Sequence, residues 1–382
     1  MIKILIIFGT RPEAIKMFPV YKEIKENNNI FDVKVCVTAQ HRKMMDQVLE
    51  FFELEPDYDL NIMKDNQTLF DITSSCIKAL ESVLNSYRPD IILVQGDTTT
   101  AFLGALAGYY KQIPVGHIEA GLRSHNKYAP YPEEINRKLI GHIADFHFAP
   151  TLTAKKNLYK ESIRKNIWVV GNTVIDALFL GLRKIKENQS LERNIETYFN
   201  SIFNLDSRKI ILVTGHRRES FGKGFENICQ SLKIIALSYP DIEIVYPVHL
   251  NPNVREPVNR ILNGIKNIHL LEPIEYPYLI WLMAKCYIVL TDSGGIQEEA
   301  PSLGKPVLIM REVTERVEGI KAGTALLVGT NKHTIVNNVS LLLENKEKYN
   351  EMAKATNPYG DGKASKRIVS KLKNIKQYQP LN

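Results

Sequence analysis

Residues 91–121 read IILVQGDTTTAFLGALAGYYKQIPVGHIEAG, and the reading of this stretch decides the fold. Ile91–Gln95 is a short, fully apolar strand. Thr100–Tyr110 is a helix of mostly small residues, and Val115–Ala120 is another apolar strand. Continuous apolar strands separated by helices indicate a parallel sheet covered on both faces.

The same alternation extends outward. Ile2–Phe8 is a strand ending at Gly9-Thr10-Arg11-Pro12, where Pro12 suits a first helical turn because its missing N–H costs nothing there. The helix that follows is expected to turn Ile15, Phe18, Tyr21 and Ile24 inward. Val33–Thr38 is the next strand, Lys43–Phe52 the next helix, and Leu69–Leu84 a long amphipathic helix. Trp168–Val170 then leads into Gly171-Asn172-Thr173, read as a linker. A second set of strands follows at Ile210–Thr214, Ile242–Val248, Ile268–Leu271, Ile288–Thr291 and Val307–Met310. The fold class is therefore α/β, with two doubly wound Rossmann-like domains, 1–171 and 172–364, facing a cleft at the carboxyl ends of their strands.

A chain of 382 residues suits two domains. Its net charge of +7 is mild, so the basic run Lys363 to Lys376 reads as a solvated helix face and no nucleic-acid partner is expected. Such a balance also suits a small anionic substrate. Cys36, Cys76, Cys229 and Cys286 form no C-x-x-C pair, which fits buried thiols and a cytoplasmic setting. Met1 to Phe8 is too short and too soon followed by Arg11 and Glu13 for a signal peptide. No run approaches the roughly 20 apolar residues that span a bilayer, so no membrane partner is expected.

Chemistry concentrates at strand ends. Asp97, Glu119, Glu133 and Glu134 put four carboxylates on loops or near the ends of strands, a grouping that suits proton transfer or cation binding. The structural alternatives are a helix cap for Asp97 and first-turn acids for Glu133 and Glu134. No H-x-H, H-E-x-x-H or C-x-x-C pattern accompanies them, so no metal is expected. Gly9-Thr10-Arg11-Pro12-Glu13, with Lys16 one turn on, offers helix amides and two cations to an anion. It is not a Walker A loop, no G-x-G-x-x-G follows the strand, and no nicotinamide or other cofactor is expected. Thr291-Asp292-Ser293-Gly294-Gly295 is sharper: the amides of Ser293, Gly294 and Gly295 would hold a diphosphate, and Glu299 would accept from ribose hydroxyls. His216 closes a strand beside Arg217 and Arg218, and His249 ends another.

Taken in order, Gly9–Lys16, Gln40-His41-Arg42, Gly96–Thr100, His117–Arg123, Pro132–Arg137, Gly171–Asp176, Gly215–Glu219, Val248–Arg255, Asp292–Pro306, Thr314-Glu315-Arg316 and Asn357–Gly362 resemble the non-hydrolysing bacterial UDP-N-acetylglucosamine 2-epimerases over essentially the whole length. The resemblance implies a GT-B type architecture whose final helix, from about Ser365, crosses back so that 365–382 completes the first domain. It implies reversible epimerisation of UDP-N-acetylglucosamine and UDP-N-acetylmannosamine at carbon-2, through elimination of UDP to 2-acetamidoglucal and re-addition, by a homodimer that supplies surface polysaccharide precursor. It assigns Asp97, Glu119 and Glu133 to acid–base work and leaves Glu134 as a neighbour. It places His216, Arg11 and Lys16 toward the diphosphate, Ser293, Gly294, Gly295 and Glu299 at phosphate and ribose, and Arg316 nearby. A second, activating UDP-N-acetylglucosamine would meet Gln40, Lys43, Arg217 and His249.

Three positions depart from the family: Ile274 and Leu279 stand where glutamine and phenylalanine are usual near uracil, and Asn66 where relatives with an activator site carry arginine. The rival readings are a 2-epimerase of a UDP-diacetamido uronic acid, a hydrolysing epimerase, a GT-B glycosyltransferase and a sugar-nucleotide sensor without turnover.

Overall fold

The apolar runs form two sheets in which every recorded strand pair is parallel. The computed structural model describes residues 1–38, 42–62, 67–203, 205 and 209–375. The chain divides into two compact units, Met1–Phe179 with Tyr359–Asn382, and Leu180–Pro358.

The first unit runs β1 (Ile2–Phe8), α1 (Arg11–Lys25), β2 (Phe31–Val37), α2 (Arg42–Phe52), β3 (Tyr58–Asp59), α3 (Leu69–Tyr87), β4 (Ile91–Gln95), α4 (Thr99–Tyr110), β5 (Val115–Ile118), α5 (Glu133–Ile143), β6 (Phe146–Ala149), α6 (Leu152–Lys160) and β7 (Ile167–Val169). The division falls within α7 (Thr173–Glu187). Strand order is β3-β2-β1-β4-β5-β6-β7. β1 and β4 are adjacent, with Ile4 opposite Ile91 and Ile7 opposite Val94, and the direction of winding reverses between them. Loops leaving such a pair part to opposite sides and open a crevice at their carboxyl ends. Ile4 to Phe8 and Ile91 to Val94 are wholly buried, which is why these strands are apolar without alternation.

The second unit continues with α8 (Gln189–Asn200), β8 (Lys209–Thr214), α9 (Lys223–Ser238), β9 (Ile242–Pro247), α10 (Pro252–Leu262), β10 (Ile268–Leu271), α11 (Tyr276–Lys285), β11 (Ile288–Thr291), α12 (Gly294–Glu299), β12 (Val307–Ile309), α13 (Val317–Ala322), β13 (Ala325–Leu327), α14 (Lys332–Glu344) and α15 (Lys346–Ala353). Its order, β10-β9-β8-β11-β12-β13, reverses between β8 and β11. Two doubly wound α/β units are therefore present.

The last helix, α16 (Ala364–Leu372), belongs to the first unit. Asp176 on α7 accepts from Ala364 N (3.1 Å), Ser365 N (2.8 Å) and Ser365 Oγ (2.5 Å). Ile368, Val369 and Leu372 are buried while Lys366, Arg367 and Ser370 face solvent, so the basic run is a solvated face with an apolar back.

Three local expectations change. α1 buries Ala14, Met17, Val20 and Ile24, whereas Phe18 and Tyr21 are only half-buried; Phe18 instead stacks on Phe52 of α2, with ring centroids 4.1 Å apart. Gly171-Asn172-Thr173 is not a solvated linker. Asn172 is buried, and its backbone N–H donates to Tyr359 O at 2.7 Å. The strand expected to reach Ala120 ends at Ile118.

Asp176→Ala should cost at least about 2 kcal/mol in denaturant unfolding, because two buried amides and a hydroxyl lose their acceptor. Asp176→Asn, which keeps one carbonyl oxygen, should cost less.

Candidate active site

In the first unit the turn after β1 packs against the turn after β4. A Cβ on Gly9 would lie 2.1 Å from Thr38 Oγ1 and 2.5 Å from Thr100 Oγ1, so only glycine fits that approach. Thr10 precedes α1, and Glu13 reaches back to Thr10 N (2.8 Å) and Thr10 Oγ1 (2.8 Å) as in a capping box. Arg11 opens the helix.

Asp97 follows β4 at Gly96. The cap of α4 is Thr98, whose Oγ1 accepts from Ala101 N at 3.0 Å, so Asp97 is left for other partners. Its Oδ2 receives Arg137 Nε at 2.8 Å and Nη2 at 2.7 Å. Its backbone oxygen receives Asn136 Nδ2 at 2.9 Å. His117, in the middle of β5, holds the Gly96 carbonyl through Nε2 at 2.7 Å. Burial drives the His117 imidazole down to about 4, so at neutral pH it is uncharged and Nε2 is the donor.

Glu119 stands one residue past β5 at φ +66°, a left-handed conformation uncommon for a side chain of this kind. Its Oε2 accepts from Lys16 Nζ at 2.5 Å and from Asn172 Nδ2 at 2.9 Å. Lys16, expected to face a diphosphate, is thus found on a carboxylate. Glu133 begins α5, and its buried Oε2 has no hydrogen-bond partner among the described residues. Glu134 is wholly buried. It accepts from Ser124 N (2.9 Å), His125 N (3.1 Å) and Arg137 Nη1 (3.0 Å), which fixes the 124–125 turn. Arg137 therefore bridges Asp97 and Glu134.

In the second unit the turns after β8 and β11 repeat the arrangement. Thr214 Oγ1 and Thr291 Oγ1 are 2.6 Å apart. Asp292, 1% exposed, accepts from His216 N (2.7 Å) and Arg217 N (2.8 Å), and its Oδ1 lies 3.4 Å from His216 Nδ1. His216 is half-buried. Burial lowers its pKa, while Asp292 pulls it back up. His249 is exposed and stacks on His216 with centroids 5.3 Å apart.

Of the three amides expected to bind phosphate, that of Ser293 is engaged by Thr291 Oγ1 at 2.9 Å, and Gly294 and Gly295 open α12. A Cβ on Gly294 would fall 2.9 Å from the guanidinium carbon of Arg316, which places Arg316 flat against this turn. Arg316 also binds Glu298 (3.0 Å) and Glu315. Glu299 is buried, and Tyr276 OH donates to it at 3.3 Å. Gln40 and Asn66 lie outside the described residues. Lys43 sits on α2, with its side chain likewise outside them.

Asn172, Arg137, His117 and Glu13 were not singled out from the sequence as site residues. The Thr10-x-x-Glu13 spacing of a capping box and the Glu134–Arg137 spacing of three on a helix were signals for two of them. Nothing local marked Asn172. Among the described residues no cluster of His, Cys, Asp and Glu could hold a metal ion, the four cysteines are free and buried, and no helix is long and apolar enough to cross a membrane.

Two parallel α/β units, one gathering carboxylates and cations at the carboxyl ends of its strands and the other a histidine, a glycine turn and an arginine, define a doubly wound Rossmann-like protein. Residues 22–373 match the family model described as UDP-N-acetylglucosamine 2-epimerase. A probable UDP-N-acetylglucosamine 2-epimerase of Ralstonia solanacearum is 55% identical over 96% of this chain and 97% of its own. The UDP-N-acetylglucosamine 2-epimerase of Escherichia coli K12 is 54% identical over 97% of this chain and 98% of its own. The crystal structure of the Neisseria meningitidis UDP-GlcNAc 2-epimerase bound to UDP-GlcNAc superposes with a TM-score of 0.91 at 52% identity, covering 97% of this chain and 99% of that one. The chain belongs to the UDP-N-acetylglucosamine 2-epimerase family, and its two units are of the GT-B type.

Asp292→Asn should lower the pKa of His216 further, since it removes the carboxylate that favours the imidazolium. Titration of the His216 ring protons by NMR measures this, and an unchanged or raised value would contradict it.

Proposed function

We propose that this protein interconverts UDP-N-acetylglucosamine and UDP-N-acetylmannosamine by inverting carbon-2 of the sugar. The observation that carries the reading is the set Asp97, Glu119 and Glu133 at the carboxyl end of the first unit's sheet, each in a different setting. Asp97 is paired with Arg137, Glu119 is held by Lys16 and Asn172, and Glu133 has a buried oxygen without a hydrogen-bond partner among the described residues. Membership of the family supplies the substrate.

The hydrogen on carbon-2 is not adjacent to a carbonyl, so direct abstraction is slow. In the proposed route the anomeric carbon–oxygen bond breaks and its electron pair leaves with UDP. A carboxylate takes the carbon-2 proton, and the electrons of that C–H bond form the carbon-1 to carbon-2 double bond of 2-acetamidoglucal. A proton then returns to carbon-2 on the other face as a diphosphate oxygen re-forms its bond to carbon-1. Two faces need more than one acid–base group. Departing negative charge needs fixed cations and amides, a task the proposal gives to His216, Arg11, Gly294, Gly295 and Arg316, with Glu299 on the ribose. Lys16 acts in this scheme by holding the Glu119 side chain in place. Arg217 and His249, beside His216, remain the groups through which a second UDP-sugar would act. Four free thiols fit work in a reducing cytoplasm, and the family likeness supports a homodimer.

Incubation with UDP-N-acetylglucosamine in deuterated water, followed by NMR, tests the reading. The mannosamine epimer should appear, carry deuterium at carbon-2 and remain joined to UDP. Turnover without deuterium would rule out this route. Release of free sugar would point to hydrolysis, and UDP binding without turnover to a sensor.

Asp97→Asn, Glu119→Gln and Glu133→Gln should each lower kcat by about a hundredfold or more, with UDP affinity close to that of the unchanged protein by calorimetry.

A further inference from the structure

Glu13 is a buried carboxylate that the proposed chemistry leaves unused. It is 2% exposed. Its Oε2 accepts from Gly9 N (3.1 Å), Thr10 N (2.8 Å) and Thr10 Oγ1 (2.8 Å). Its Oε1 accepts from Thr98 Oγ1 at 2.6 Å. The first three bonds are local to the start of α1. The fourth is not: it spans 85 residues of sequence and joins the turn after β1 to the turn after β4, the two turns that part at the switch point. The first turn carries Arg11 and the second carries Asp97.

We propose that the Glu13–Thr98 hydrogen bond is a positioning tie that sets Asp97 relative to Arg11 for the carbon-2 reaction. The inference rests on the function proposed above. Asp97 has anchors on its far side, where Asn136 holds its backbone oxygen and Arg137 its carboxylate. On the side of β1 the tie at Thr98, one residue on, is a hydrogen bond joining this turn to the Arg11 turn. The contact of Thr38 Oγ1 with Thr100 Oγ1 at 2.9 Å joins α4 to the end of β2 instead. Thr98 does two jobs with one oxygen, since it also caps α4 by accepting from Ala101 N.

The tie works through shape and hydrogen bonding, and a neutral group can make it. Burial pushes the Glu13 carboxyl up to about 7, with the Thr98 and Thr10 hydroxyls and the Gly9 and Thr10 amides drawing it down. When protonated on Oε1, the carboxyl donates to Thr98 Oγ1, which has a lone pair free for it. A glutamine amide does the same: its oxygen serves the three donors at the start of α1 and its N–H serves Thr98. Glu13→Gln is therefore the conservative variant, Glu13→Ala breaks both sets of bonds while leaving the α4 cap, and Thr98→Ala breaks the tie and the α4 cap while sparing the α1 cap.

The experiment measures kcat, KM, UDP affinity and deuterium incorporation at carbon-2 for Glu13→Ala, Glu13→Gln, Thr98→Ala and Thr98→Ser, each confirmed as folded by circular dichroism at the assay temperature. The expected result is a fall in kcat of about tenfold to a hundredfold for Thr98→Ala, with UDP affinity retained. Thr98→Ser should recover most of the rate, as should Glu13→Gln relative to Glu13→Ala. Should Glu13→Ala fail to fold, the Thr98 pair decides. A purely structural role would lower the melting temperature of Thr98→Ala and leave kcat of the folded protein within twofold of the unchanged chain, and that result overturns the proposal. So does a Thr98→Ser variant as slow as Thr98→Ala. If the unchanged protein shows no epimerisation, the functional reading fails first; if it epimerises and Thr98→Ala keeps pace, only the tie fails.

Discussion

A parallel sheet whose strand order reverses must let two neighbouring turns diverge, and the backbone groups at their roots then need partners that the sheet cannot supply. Both units meet this constraint in the same way, with a buried carboxylate. In the first unit Glu13 collects two amides and two hydroxyls from the turns after β1 and β4. In the second, Asp292 reaches from the turn after β11 to the amides of His216 and Arg217 after β8. Hydrogen bonds of this kind, from several donors to one buried acceptor, leave little freedom in the direction of the donors. Arg11, Asp97 and His216 all hang from turns fixed in this manner.

The second organising demand is electrostatic. Asp97, Glu119, Glu133 and Glu134 gather at one end of a sheet, where like charges need compensation. The fold answers by interleaving cations and amides. Arg137 lies between Asp97 and Glu134, Lys16 lies against Glu119, and Asn172 adds a neutral donor. Glu133 differs, with one buried oxygen unpartnered among the described residues. A group of carboxylates in unequal surroundings can divide the work of removing and returning a proton, which equivalent ones could not.

Much of this was legible in the chain. The strands β1, β4, β8 and β11 are uniformly apolar because both faces of each sheet are covered, so their ends, and the glycine turns that follow, could be located to within a residue or two. Short edge strands such as β3 and β13 left no comparable mark, since two or three residues carry no period. The inward face of α1 was misjudged because Phe18 is apolar yet serves a neighbouring helix rather than the sheet, and Tyr21 beside it is only half-buried. Gly171-Asn172-Thr173 looked like a linker because its composition is that of a turn; the purpose of Asn172 lies 53 residues away, at Glu119. The contact of Lys16 with Glu119 was not legible for the same reason: local pattern gives a residue's charge and its face, while tertiary closure gives its mate.

The left-handed backbone of Glu119 has a meaning for any effort to harden this protein against heat. A glutamate held at φ +66° carries strain of about 1–3 kcal/mol that glycine would not. Glycine there would relieve the strain but take the buried carboxylate from Lys16 and Asn172, and breaking a buried pair in this way costs about 3–5 kcal/mol, more than the strain returns. Heat resistance and the placement of this carboxylate therefore favour the same side chain, and a library selected on ruggedness alone should keep glutamate here despite its backbone.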